Sequence, residues 1–158
     1  MSKKNKQTLK IDAVDSRIIL LLQEDGRMSN KAIARELGIA ESTVRTRLKR
    51  LIEDRIVKIV ALSNPFDLGF EIAGNCKINV DQTKQDAIME ELVAIKELWY
   101  VALTTGGTDI DVDFIIPTFA DLEPLLARIT KIDGIRKVET NLIMRYGKHE
   151  FNWGTVIS

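Results

Sequence analysis

Hydrophobic positions in the first third of the chain recur at helical spacing. Ile11, Val14, Ile18, Leu21 and Leu22 share one face, Asp12 stands where a capping residue would, and Gly26 follows. The pattern predicts a helix from Asp12 to about Asp25. Ser29 can cap a short second helix in which Ile33 and Leu37 share a face, and Gly38 follows it as a left-handed turn residue would. A third helix is predicted from about Glu41 to Asp54, with Val44, Leu48, Leu51 and Ile52 inward. Three short helices with a tight glycine turn before the third form a helix-turn-helix pattern. The β-rich run Ile56 to Leu62 is expected to be a wing or hinge strand, and Asn64-Pro65 opens a linker ending near Gly69.

The period then changes. Ile72 to Val80 reads as a strand. Asp81 caps a helix to about Lys96, with Ile88, Leu92 and Ile95 inward. Trp99 to Thr105 is a strand, Gly106-Gly107 a turn, and Asp109 to Ile116 a strand that Pro117 ends. Thr118 caps a helix carrying Phe119, Leu122, Leu125, Leu126, Ile129 and Ile132 inward. Gly134 stops it before a last strand, Ile135 to Met144. The order βαββαβ predicts a ferredoxin-like domain, so the fold class is α+β: an N-terminal winged or hinge-strand helix-turn-helix and a C-terminal ferredoxin-like domain. The expected boundaries are 1–62 for the first domain, with 1–10 a flexible basic arm, 63–70 for the linker and 71–158 for the second domain.

Charge sharpens this division. The 158 residues carry no net charge, but residues 1–62 hold 14 Lys/Arg against 8 Asp/Glu, a net of +6. Residues 63–158 hold 9 against 15, a net of −6. A polyanion partner is therefore expected for the first half alone. On the third helix, 100° per residue turns Ser42, Thr43, Thr46, Lys49 and Arg50 outward, with Arg45 and Arg47 on the flanks. These seven residues are the candidate DNA contacts. Arg and Lys donate to guanine, and Thr touches a thymine methyl or a phosphate. A solvated amphipathic face is the plainer reading. Glu41 and Glu53 would repel phosphates, although Glu41 can accept from a cytosine amino group.

Ile11-Asp12-x-x-Asp15-x-x-Ile18-x-x-x-Leu22-x-x-Asp25-Gly26-Arg27-x-Ser29 resembles the opening helix of the leucine-responsive/asparagine-operon (Lrp/AsnC) regulators. Ile33-Ala34-x-x-Leu37-Gly38-Ile39-Ala40-Glu41-Ser42-Thr43-Val44-x-x-Arg47-Leu48-x-x-Leu51 resembles their helix-turn-helix, and Asn64-Pro65-x-x-Leu68-Gly69 their linker. Thr105-Gly106-Gly107-Thr108-Asp109 is similar to the Gly-x-x-Asp turn of their amino-acid-sensing domain. The resemblance spans about residues 11–145 in order. It implies a transcriptional regulator that binds double-stranded DNA, with a second domain that senses an effector and oligomerises. It further implies homodimers that assemble to tetramers or octamers, with an amino acid or similar effector near the Gly-x-x-Asp turn. Gly106, Thr108 and Asp109 are the candidate effector contacts: bare glycine backbone can approach a carboxylate, and Asp109 can hold an ammonium group. A tight hairpin whose glycines only satisfy positive φ is the plainer reading.

Two positions depart from the family. It often has Ser where this chain has Ala40, so Glu41 or Ser42 must serve the helix N-terminus. It often has Gly where this chain has Arg55. If that position is left-handed, Arg55 stores strain.

Other chemistry is not expected. His149, the single histidine, stands near the tail with no Cys or second His beside it to make a metal site or a triad, and no enzyme activity, cofactor or metal is expected. Asp109, Asp111 and Asp113 alternate on one strand, too far apart to share an ion without further ligands. A charged edge strand explains them better. Cys76, the lone cysteine, reads as a small core residue. Trp99, Tyr100 and Trp153 are expected in the core or an interface. No apolar run is long enough to span a membrane, so no membrane partner and a cytoplasmic location are expected. The competing function is a low-specificity DNA-bending architectural protein without an effector.

Overall fold

The computed structural model describes residues 10–149 and 152–157. The basic arm expected over 1–10 lies outside them, apart from Lys10. The chain divides into two compact units. One runs to Ala61 and includes the tail from Lys148, and the other is Leu62–Gly147.

The first unit is built on α1 (Ala13–Glu24), α2 (Asn30–Leu37) and α3 (Glu41–Glu53). Asp12 caps α1 through a reciprocal box: its carboxylate takes the Asp15 N–H at 2.9 Å, and Asp15 takes the Asp12 N–H at 3.1 Å. Ser29 caps α2 through the Ala32 N–H. Gly38 ends α2 at φ 65°, the left-handed value that lets the chain turn sharply into α3. Ile18, Leu22, Ile33, Val44 and Leu51 close the core. Ile52, expected inward on α3, is exposed.

The run 56–62 does not form the expected wing or hinge strand in the single chain. The N–H groups of Ile56 and Val57 turn back to the Leu51 carbonyl at 2.9 and 3.0 Å, closing the C-terminus of α3. Beyond them Ile59, Val60 and Leu62 stay exposed, with no ladder to join. The linker does turn where Asn64-Pro65 stand: a 3-10 turn at Pro65–Leu68 ends at left-handed Gly69.

The second unit is a four-stranded antiparallel sheet in the order β2-β3-β1-β4, with β1 (Ile72–Val80), β2 (Leu98–Leu103), β3 (Ile110–Ile116) and β4 (Ile135–Leu142). Helices α4 (Gln85–Val93) and α5 (Leu122–Thr130) make the crossovers. This is the predicted ferredoxin-like βαββαβ arrangement. Alternation along β3 sends Ile110, Val112, Phe114 and Ile116 into the core, against Ile88 and Leu92 of α4 and Leu125 and Ile129 of α5. Gly74 on β1 lies under Phe114: a Cβ there would stand 2.4 Å from the ring Cζ and 2.6 Å from the Asn141 carbonyl. Only glycine fits.

Two further expectations need correcting, and a third is narrowed. β3 is no edge strand, because it pairs with β1 on one side and β2 on the other. Asp111 and Asp113 therefore sit within the sheet, so edge protection does not explain them. Phe119 is exposed because a 3-10 turn, Phe119–Asp121, precedes α5 and rotates it outward. Trp99, Tyr100 and Trp153, expected in the core or an interface, are exposed in the single chain, which removes the core and leaves the interface. Cys76 is buried as expected, and burial pushes its thiol pKa up.

The tail also differs from its expected assignment to the second domain. Ser16, a buried polar residue on α1, bonds the Thr155 hydroxyl and donates to the Ile157 carbonyl at 3.0 Å. The Gly154 N–H reaches the Gln23 side chain at 3.2 Å. These bonds group the tail with the first unit.

Candidate nucleic-acid interface and ligand turn

The exposed face of α3 is set by what α3 buries. Val44 and Leu51 are fully enclosed and Leu48 is half-buried. Ser42, Thr43, Arg45, Thr46, Lys49 and Arg50 are consequently exposed, as expected. Arg47 is the exception. Its side chain is half-buried, because it reaches back to α1.

Two kinds of cation result. Arg45 and Lys49 project outward and, among the described residues, pair with Glu41, at 3.0 Å, and Glu53, at 3.7 Å, one turn away. Such i,i+4 pairs at the surface hold by only about 0.3–0.5 kcal/mol, so a phosphate displaces the carboxylate readily. Glu41 and Glu53 thus occupy the cations and do not bar the face. Arg47 and Arg50 are anchored. Arg47 Nη1 donates to Asp12 Oδ2 at 2.6 Å and to Asp15 Oδ1 at 2.9 Å, and Arg50 Nη2 donates to Asp15 Oδ2. Asp12, Ser42, Thr43, Thr46, Arg47 and Arg50 line one concavity over this network.

Asp15 has 1% of its side chain exposed. Burial, the largest influence, pushes its pKa up. The Asp12 N–H and the two guanidiniums together outweigh it, so the carboxyl titrates below its ordinary range. Asp12 is held low by the Asp15 N–H first and by Arg47 next, and Arg47 is raised in turn by Asp12 and Asp15.

Sequence reasoning named the arginines and missed their acids. The signal was present: Ile11, Asp15, Ile18 and Leu22 follow one 4-3-4 stripe, and a charge inside an apolar stripe must be paired.

The N-terminus of α3 has Ala40 at its cap with no side-chain hydrogen bond. Its first turn is left without a side-chain cap, and a helix N-terminus of this kind favours an anion. At the other end Arg55 adopts φ 57°, so the left-handed position is present and an arginine fills it.

The turn between β2 and β3 brings Gly106, Thr108 and Asp109 together in one tight loop. The Thr104 N–H bonds the Asp109 carbonyl at 2.9 Å, and Thr104 Oγ1 donates to the Thr108 carbonyl at 3.1 Å. Gly106 has φ 117°, and an added Cβ at Gly106 or Gly107 would meet nothing within 4 Å. Open backbone is therefore available at the tip. The Asp109 carboxylate is engaged by the chain itself: Oδ2 accepts the Val80 N–H at 2.9 Å and Oδ1 the Gln82 side chain at 2.7 Å. Its bonds to the end of β1 first of all hold the loop.

Among the described residues no group of three or more His, Cys, Asp or Glu could hold a metal ion, and no helix is long and apolar enough to cross a membrane.

Comparison with known proteins matches two successive stretches of the chain. Residues 11–52 match the AsnC-type helix-turn-helix domain, and residues 76–152 match the Lrp/AsnC ligand binding domain. The chain is 38% identical over 148 residues to an uncharacterised HTH-type transcriptional regulator of Pyrococcus abyssi, covering 92% of this chain and 91% of that one. It is 38% identical over 146 residues to another of Pyrococcus furiosus, covering 91% and 96%. Its fold resembles E. coli AsnC (TM-score 0.80, 20% identity, 89% of this chain and 97% of that one). It also resembles a Neisseria meningitidis transcriptional regulator solved as an L-Met complex (TM-score 0.81, 19% identity, 90% and 95%). With both of its domains matched in order, the chain belongs to the Lrp/AsnC family of DNA-binding transcriptional regulators.

Proposed function

We propose that this regulator binds operator DNA in a sequence-specific way through α3 and is controlled by an amino acid or a closely related small molecule. The observation that carries the first part is the exposed row Ser42, Thr43, Arg45, Thr46 and Lys49, with Arg47 and Arg50 fixed beside it. A helix with short hydroxyls at its N-terminal turn and cations along it fits the major groove, where it meets base edges and phosphates together. One such helix covers a half-site, so the working unit is a homodimer or a higher assembly such as a tetramer or octamer.

Effector control is supported by the match to a ligand binding domain and by the open glycine backbone at Gly106 and Gly107. The L-Met bound to the Neisseria regulator points to the same class of ligand. The backbone N–H groups of Gly106 and Gly107 would meet the carboxylate of the amino acid, with the Thr108 hydroxyl turning to it from Asp111 Oδ1, to which it donates at 3.3 Å, while Asp109 holds the loop and lends its charge to the ammonium side. This match weighs against the alternative of an effector-free architectural protein.

Thermal unfolding in the presence of each of the twenty amino acids tests the effector. A ligand at 100 times its Kd stabilises by about 2.7 kcal/mol. One amino acid should raise the transition, and Gly106→Val should abolish that response. No shift with any amino acid would remove this part of the reading. Selection of duplexes from a random pool tests the DNA part: a degenerate palindrome should emerge.

A further inference from the structure

Asp15 interrupts the apolar stripe of α1 at the level where α3 crosses it, and its carboxylate is enclosed. An enclosed carboxylate needs partners. Asp15 takes the Asp12 N–H, Arg47 Nη1 and Arg50 Nη2, and Asp12 shares Arg47 from its more exposed side. Both arginines remain partly open to solvent, beside Ser42, Thr43 and Thr46. A guanidinium is a rigid planar fork with five N–H donors, so holding one of its terminal nitrogens limits where the remaining donors point.

We propose that Asp15 is a positioning residue for DNA recognition: it holds Nη1 of Arg47 and Nη2 of Arg50 so that their remaining N–H groups point in a restricted set of directions. The duplex is then met by aimed donors, and the two arginines are kept from wrapping loosely on the phosphates of any sequence. The inference rests on α3 being the DNA-reading helix.

Asp15→Asn preserves the volume and one acceptor but removes the charge. The arginines are loosened and the surface gains one positive charge. Random-sequence DNA should be bound as well as before or better, since that term is electrostatic. Discrimination should fall. A residue needed only for the fold would lower binding to every duplex together.

The experiment uses the full chain, the duplex that the wild type enriches from a random pool, and a random duplex of equal length. We expect Asp15→Asn to lower the ratio of the two affinities about tenfold, while random-duplex affinity is unchanged or rises. In an Arg47→Ala/Arg50→Ala background the same substitution should change the ratio less than about twofold, because nothing is left to aim. Should Asp15→Asn fail to fold, Asp12→Asn carries the test. It is half-exposed, holds Arg47 alone, and should lower the ratio about threefold. An unchanged ratio in a folded variant, equal losses on both duplexes, or an undiminished effect without the arginines would overturn the proposal. If the wild type enriches no sequence, the reading of α3 fails first and the positioning role falls with it.

Discussion

The Arg47 guanidinium donates to the buried Asp15 carboxylate at 2.9 Å, joining α3 to α1 across the edge of the first core. Arg50 approaches the same carboxylate from the next turn of α3. The pair is a stabilising link as well as a feature of the surface. Breaking a fully buried pair costs about 3–5 kcal/mol. Arg50 is half in water, which screens part of the interaction, so Asp15→Ala should cost about 2–3 kcal/mol in a denaturant titration.

Acid should act at the same place. The folded pKa of Asp15 lies below the ordinary 3.8, so its contribution is complete above that value and is lost as the pH falls through the lower folded value. Stability measured from pH 6 down to pH 2 should therefore fall less steeply in Asp15→Asn than in the wild type. Parallel curves would contradict the assignment.

Arg55 gives a prediction of opposite sign. At φ 57° a side chain carries a left-handed penalty of about 1–2 kcal/mol, which glycine escapes. Glycine loses part of that gain through its freer unfolded chain, so Arg55→Gly should raise stability by about 0.5–1 kcal/mol. Ala40→Ser should add about 0.5–1 kcal/mol by supplying the missing cap, since Ala40 already has the extended backbone a cap requires. Midpoints of chemical unfolding read both effects.

Gly74 tests the sheet. A methyl group at that position meets the Phe114 ring and the Asn141 carbonyl, which belongs to backbone and cannot swing aside. Gly74→Ala should destabilise the second unit by about 1–3 kcal/mol, with the loss visible in thermal unfolding.

These residues also show what the chain disclosed before its structure was known. The periods of Ile18 and Val44 in the helices, and of Ile110 to Ile116 in β3, placed the elements because burial on one face imposes them. Gly38 and Ser29 marked their ends for local reasons. The Asp15 network was not read, because it joins residues more than thirty positions apart, and spacing along one helix does not report pairing between helices. The run 56–62 looked like a strand because Ile, Val and Leu favour one, but a ladder needs a second strand, and in the single chain the first N–H groups of the run are already bonded to Leu51. At the turn between β2 and β3, Gly106 was legible from its residue type. The bonds of Asp109 to Val80 and Gln82 depended on where β1 ends, which no local pattern encodes.

The central claim is that the exposed side of α3 reads DNA, and Arg45 and Lys49 test it most cleanly because neither supports the core. The measurement is equilibrium binding of the wild type and of Arg45→Ala/Lys49→Ala to the enriched duplex at several salt concentrations, with unfolding curves showing that both are folded. The predicted result is an affinity at least about tenfold weaker and a salt slope shallower by about 1–2, with stability unchanged to within about 0.5 kcal/mol. Equal affinity and equal salt slope for the two folded proteins would contradict it.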